Sequence, residues 1–227
     1  MQRILLASAL SAALLALGGC GGGDTTAAAL PTDSTVTAVP TSALSAQLAA
    51  IPTTELSTTE ADALVFMREE EKLARDVYQL LHAQWQQTVF TNITTSEQQH
   101  MDAVAMLLTR YGLPDPAAGT ATGVFVDPAL QQMFDALMAQ GRTSLIAALT
   151  VGATIEDLDI KDLQVRLAQT DNADVQLVFN ELMKGSRNHL RAFISQLTNL
   201  GVTYTPQYIA QAEFDAIVGS PRETGSI

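Results

Sequence analysis

Met67-Arg68-Glu69-Glu70-Glu71-Lys72-Leu73-Ala74-Arg75-Asp76-Val77-Tyr78 is the stretch on which the fold turns. It extends both ways with a helical period. Leu64, Met67, Glu71, Ala74, Tyr78 and Leu81 fall at i, i+3, i+7, i+10, i+14 and i+17, a single stripe along one face of a helix spanning about 59–87. A carboxylate, Glu71, stands in the middle of that stripe. Placing an unpaired charge on an apolar face costs several kcal/mol, so Glu71 requires a partner. Glu69 and Glu70 read as its solvated neighbours, because a run of like charges is usually a wetted face.

The pattern continues downstream. Thr95-Ser96 opens a second helix over about 95–112, with Val104, Leu107, Leu108 and Tyr111 on its apolar face and Gly112 as its stop. Pro114, Pro116, Gly119 and Gly123 make 113–127 a long irregular connection. Asp127-Pro128 caps a short helix, about 128–140. A helix over about 142–169 contains Gly152 as a kink or break. Asp171 or Asn172 caps the next helix, about 173–200, which ends at Gly201. A short one follows at about 206–218. Nothing reads as a strand. The fold class is all-α: a four-helix bundle with a long crossover between helices 2 and 3 and short extra helices, the connectivity of ferritin-like bundles.

Three histidines are available, His82, His100 and His189. Glu97-Gln98-Gln99-His100 is Glu-x-x-His, which sets a carboxylate and an imidazole on one side of a helix, where both can bind one metal ion. Bundle di-metal sites use a Glu from each of two helices and a Glu-x-x-His from each of the other two. Glu71 supplies the first, and Glu156, with Asp159 one turn on, supplies the second. The last helix offers Ser186-Arg187-Asn188-His189. The metal ligands are therefore read as Glu71, Glu97, His100, Glu156 and His189, with Asp159 as a further candidate. Tyr78, Arg75 and Ser186 stand behind them: Tyr78 as a buried hydrogen-bond donor, Arg75 paired with a carboxylate. His82 reads as structural, and Met67, Met101, Met106, Met183, Trp85, Phe90 and Phe193 as core.

The amino terminus has a different character. Met1-Gln2-Arg3 precedes an apolar run, Ile4 to Leu17, which ends in Leu17-Gly18-Gly19-Cys20. That run is too short to span a membrane as a mature helix. It resembles a bacterial lipoprotein signal, with Cys20 as the lipidated residue and the single cysteine of the chain. The domain plan is a signal peptide at 1–19, the lipidated Cys20 with a flexible Thr/Ser/Ala/Pro tether to 57, a helical bundle at 58–219 and a flexible tail at 220–227. The expected location is the bacterial cell envelope, lipid-anchored. Gly21 after Cys20 favours the outer membrane in a Gram-negative host, facing the periplasm or the surface.

Twelve Lys and Arg stand against 24 Asp and Glu among 227 residues, a formal net charge of −12. That balance argues against nucleic acid as a partner, since phosphate neutralisation needs clustered basic residues. One cysteine allows neither an intramolecular disulfide framework nor a multi-cysteine zinc site. With that cysteine read as the lipid anchor, no thiol nucleophile remains. No phosphate-cradling glycine loop and no nucleophile elbow occurs.

As a set, the Met67–Tyr78 stretch, Ser96-Glu97-Gln98-Gln99-His100-Met101 and Gly185-Ser186-Arg187-Asn188-His189-Leu190 resemble an uncharacterised prokaryotic ferritin-like family, domain of unknown function 2202. Glu71-x-x-Ala74-Arg75-x-x-Tyr78 and Glu97-x-x-His100 are similar to the ligand signatures of rubrerythrins in the wider superfamily, which also holds bacterioferritins. The resemblance covers about 160 residues and implies a ferritin-like fold and a metal site, with one or two irons as cofactor and Mn or Zn as alternatives. It departs at Ser186, where the superfamily has a glutamate. Either Asp159 supplies the missing oxygen, or water completes one position, or only one metal binds tightly. The cysteine-ligated iron domain of rubrerythrins is absent. The implied activity is Fe(II) oxidation or peroxide or oxygen reduction by a di-iron-type oxidoreductase. The alternative is a non-enzymatic interaction or scaffolding lipoprotein with a degenerate or single-metal site. Expected partners are metal ions, the membrane through the lipid and an electron donor the sequence does not specify; a homodimer is compatible with it.

Overall fold

The computed structural model describes residues 41–224. The proposed signal, Cys20 and the first half of the tether lie outside the described residues. Seven helices and no strand occur among the described residues: α1 (Thr41–Ala50), α2 (Thr58–Trp85), α3 (Thr88–Arg110), α4 (Pro128–Gly141), α5 (Leu145–Leu167), α6 (Ala173–Asn199) and α7 (Gln211–Val218).

Helix α2 starts on a capping box. Ser57 accepts from the Glu60 backbone N–H while the Glu60 carboxylate accepts from Ser57. The link Gln86–Gln87 folds α3 back against α2, and Gln86 takes the left-handed conformation at the turn (φ 53°). Helices α5 and α6 pair in the same way. Contacts of α3 with α6 and of α2 with α5 close the four long helices around one core. Tyr78, Phe90 and Phe193 meet at its centre, with ring centroids 5.2 to 6.3 Å apart.

Several expectations are corrected. Helix α3 begins at Thr88, seven residues before Thr95. Burial of Val89, Phe90 and Ile93 drives the extra turns. Thr94 and Thr95 donate back to the Phe90 and Thr91 carbonyls, which satisfies their hydroxyls inside a helix. Helix α5 runs unbroken through Gly152. A Cβ there would sit 2.4 Å from the Phe193 ring, so this glycine serves close helix packing and not a kink. The final helix starts at Gln211, because Gln207, Tyr208 and Ile209 spend their backbone N–H groups on Asp157.

The tether does not run free to residue 57. Leu44 and Leu48, one turn apart on α1, are buried in the core. Arg110 donates to the Leu48 and Ile51 carbonyls at 2.8 and 2.5 Å, closing the end of α1. Nor is the tail loose through Glu223, which Arg187 and Arg191 hold at 2.5 and 3.0 Å.

Glu69 and Glu70 are buried, at 3% and 4% exposure, where a solvated face was expected. The crossover covers Glu69, and Glu70 turns toward α5 and lines a cavity with Asp159. Glu69 accepts from the Val126 and Asp127 backbone N–H groups at 2.5 and 2.8 Å, at the start of α4. There Asp127 caps the helix and Pro128 occupies its first turn.

Candidate metal centre

Helices α2, α3, α5 and α6 each bring acid or imidazole groups to one buried spot. Glu71 comes from α2, Glu97 and His100 from α3, Glu156 and Asp159 from α5, and Ser186 and His189 from α6. All are buried except His100, which is half-buried. Glu97 stands in the middle. Its Oε2 is 2.8 Å from His100 Nδ1, and its Oε1 is 2.8 Å from His189 Nδ1. Glu71 Oε2 approaches His100 Nδ1 at 3.1 Å, and Glu156 Oε2 approaches His189 Nδ1 at 3.4 Å. Two triads result, Glu71–Glu97–His100 and Glu97–Glu156–His189, with Glu97 common to both. Within each triad the donor atoms lie within 4.8 Å of one another. The two imidazoles stack, with centroids 5.4 Å apart.

The five ligands read from the sequence are therefore brought together. Asp159 is beside them but belongs to neither triad. Its Oδ2 accepts from the Ser186 hydroxyl, which also donates to the Leu182 carbonyl. Ser186 thus faces the site, as the spacing from His189 required. Arg75 stands one step back: it bonds Asp76 and Gln98 and touches none of the site carboxylates. His82 is structural. Its Nδ1 is 3.1 Å from the Gln87 carbonyl and 2.9 Å from Thr91 Oγ1, tying the α2–α3 turn.

Three supporting groups hold the ligands. Tyr78 donates to Glu156 Oε1 at 2.5 Å, with the Gly152 carbonyl a second acceptor at 3.3 Å. Ser96 Oγ is 2.9 Å from His189 Nε2. A neutral imidazole donating from Nε2 to Ser96 turns a bare Nδ1 toward Glu97 and Glu156, the orientation a ligand histidine needs. Gly185 makes room for the other ring: a Cβ there would lie 2.3 Å from His100 Nε2. The sequence marked Ser96 as a helix cap and gave Gly185 no role. The spacing of Ser96 to Glu97 and of Gly185 to Ser186 was the only signal available.

Electrostatics follow from burial. It raises the Glu71 and Glu156 carboxyls, with Asp159 adding to the effect at Glu71 and Glu97 adding to it at Glu156. Asp159 is pushed up to about 8 by burial, against the Ser186 hydrogen bond. Burial would also raise Glu97, but His189 and His100 on either side hold it below the usual carboxylate range. Burial works against the imidazolium forms, yet Glu97 and Glu156 lift His189 to about 9, and Glu71 and Glu97 lift His100 well above its ordinary value. Without a cation, these shifts favour protonated histidines beside the carboxylates.

The donor set suits a divalent cation. Glu71 Oε1, Glu97 Oε1, Asp159 Oδ1 and His189 Nδ1 are buried and make no hydrogen bond, and the 2.8 Å approach of Glu97 Oε1 to His189 Nδ1 lacks hydrogen-bond alignment. Buried polar atoms are nearly always partnered, so such a concentration calls for a ligand. Carboxylate with imidazole is the set that Fe(II), Mn(II) and Zn(II) accept. Beside the triads lies a cavity of about 10 Å3, lined by Glu70, Glu71, Glu97, Glu156 and Asp159 with Ala74 and Ile155.

Comparison with known proteins gives a consistent result. The family model described as an uncharacterised protein domain, DUF2202, matches residues 60–221, a span that includes every candidate ligand. The uncharacterised protein MJ0754 of Methanocaldococcus jannaschii is 48% identical over 178 residues, covering 78% of this chain and 96% of the archaeal one. The crystal structure of that protein superposes with a TM-score of 0.75 at 49% identity, covering 76% of this chain and 99% of the other.

Proposed function

The chain belongs to the DUF2202 family, and we propose that it is a cell-envelope metal-binding protein built on a ferritin-like four-helix bundle, with iron at the two triads. The observation that carries this reading is Glu97, one buried carboxylate set between two imidazoles with donor atoms on both sides left without hydrogen-bond partners. Bound iron would supply one-electron chemistry, for Fe(II) oxidation or for the reduction of oxygen or peroxide.

The protein's own part is to hold and shelter. Glu71, Glu97 and His100 would hold one ion, and Glu97, Glu156 and His189 the second. Tyr78 fixes Glu156 through its hydroxyl, and Ser96 fixes the His189 ring. His100 and His189 would give up a proton to take a cation at Nδ1, so binding would weaken as pH falls. A cavity of about 10 Å3 has room for roughly one water-sized molecule, so the site favours substrates of the size of water, oxygen or peroxide over an organic ligand.

The envelope location rests on the Leu17-Gly18-Gly19-Cys20 signal. No helix among the described residues is long and apolar enough to cross a membrane, so the lipid on Cys20 would be the attachment. Ser186 favours a second reading, a non-enzymatic helical lipoprotein with one structural metal or none. Its hydroxyl replaces a carboxylate and is used on Asp159. Metal analysis of the full-length protein after anaerobic Fe(II) loading separates the two. Two irons per chain in the wild type and a near-complete loss in Glu97→Ala are expected. No tight metal under any loading condition would sink the iron reading and leave the scaffold.

A further inference from the structure

Glu70, like Asp159, is a carboxylate at this centre that the two triads leave unused. It is 4% exposed, lines the cavity beside Glu71 and Asp159, and neither of its oxygens makes a hydrogen bond. Arg166, the cation nearest in effect, stacks over the Phe66 ring with its guanidinium 4.2 Å from the ring centroid. The carboxyl of Asp162, one turn beyond Asp159 on α5, interacts with it, and Tyr208 stands near both. Asp162 is half-buried and so reaches toward water, whereas Asp159 is fully inside with Oδ1 unpartnered.

Three carboxylates therefore run from the surface inward, Asp162 to Glu70 to Asp159, and the last lines the same cavity as Glu71, Glu97 and Glu156. For borderline ions such as Fe(II) and Co(II), oxygen-only donors without imidazole bind more weakly than the mixed carboxylate–imidazole triads do. Weak, sequential oxygen donors suit transit, because an ion must both enter and leave. Resting on the metal reading of the two triads, we propose that Asp162, Glu70 and Asp159 form a further cation-binding station through which a divalent metal ion reaches them.

The test uses Co(II) alone, on the full-length protein, with equivalents counted by equilibrium dialysis and loading followed by the visible absorbance of the bound ion. The wild type is expected to take up a weak equivalent beyond the tight ones. In Glu70→Gln, near in shape to the natural side chain, the weak equivalent disappears and loading of the tight sites slows roughly tenfold, the scale of supporting-ligand losses, while their final occupancy is kept. Asp162→Asn, at a half-exposed position with little risk to folding, is expected to slow loading in the same direction. Tight uptake with unchanged loading rate and unchanged weak equivalent in both variants overturns the station alone. Loss of the tight equivalents in folded Glu70→Gln also overturns it, since Glu70 would then be a direct ligand of the centre. No uptake by the wild type overturns the station together with the reading of the triads.

Discussion

Asp157 and Asp159 leave α5 two residues apart, and both are buried. Asp157 accepts from the Tyr204 hydroxyl at 2.9 Å and from the backbone N–H groups of Gln207, Tyr208 and Ile209 at 2.5, 3.2 and 2.9 Å. Asp159 accepts from Ser186 alone, and its Oδ1 has no donor. One carboxylate pins the segment leading to α7. The other looks into a cavity of acids. Burial of charge is therefore a poor marker of chemistry by itself. What separates a structural acid from a functional one here is whether donors are supplied.

The largest effect expected on this contrast comes from Asp157→Ala. It leaves three backbone N–H groups and a tyrosine hydroxyl without their acceptor, and about 3–5 kcal/mol of stability should go. Denaturant unfolding reads this, and metal bound per folded chain should stay at the wild-type level. Unchanged stability would erase the distinction between the two acids.

Gly185→Ala acts on the other side of the comparison. Its methyl group would press on His100 Nε2, so metal affinity should fall roughly 10–100-fold. The metal-free protein should lose little, because alanine is the better helix former by about 0.5–1 kcal/mol. Competition with a metal-sensitive dye measures the first, and a thermal melt the second. Equal affinity in the two proteins would mean that the His100 ring is not a ligand.

pH should move the donor-poor region. Asp159 is raised from 3.8 to about 8, so its protonated form stabilises the fold fully below pH 3.8, and that contribution is lost as pH rises through 8. His189 is raised from 6.5 to about 9, so its contribution is complete below 6.5 and gone above 9. Glu97, lowered by its histidines, has the opposite sign and acts only on the acid side. The melting temperature of metal-free protein should thus fall by a few degrees between pH 6.5 and 9, and bound metal should flatten the curve. A metal-free melt that rises over this range would contradict protonated histidines beside the carboxylates.

The smallest change expected is that of Ser96→Ala, which removes the hydroxyl behind His189. About a tenfold loss of metal affinity should follow, with the pH dependence of binding shifted as the imidazole loses its fixed tautomer. Wild-type affinity and an unmoved pH profile would show Ser96 to be filler.

The convergence of the candidate ligands was legible in the sequence because a helix converts spacing into direction: Glu97 with His100, and Ser186 with His189, needed only the three-residue step. The difference between Asp157 and Asp159 was not legible. The donors to Asp157 come from residues 204–209, about fifty positions away, and no local pattern announces them. Glu69 and Glu70 misled for a related reason. A triple acid looks solvated until a crossover without periodicity folds over Glu69 and a distant helix, α5, covers Glu70. Helix α1 was hidden in a Thr/Ser/Ala-rich composition, with Leu44 and Leu48 as its only periodic pair. Thr95 and Ser96 suggested a helix start because the back-bond that quiets Thr95 depends on a helix already formed.

Glu69, Glu70 and Glu71 point about 100° apart around α2, and each meets a different neighbour: the start of α4, Asp162 on α5 and His100 on α3. Three adjacent codons thus encode one chemical group in three unrelated offices. A mutational scan across them should return three phenotypes with little overlap: a loosened crossover, slow metal uptake and a lost ligand. An in-frame insertion or deletion just upstream would roll the helix and exchange all three at once.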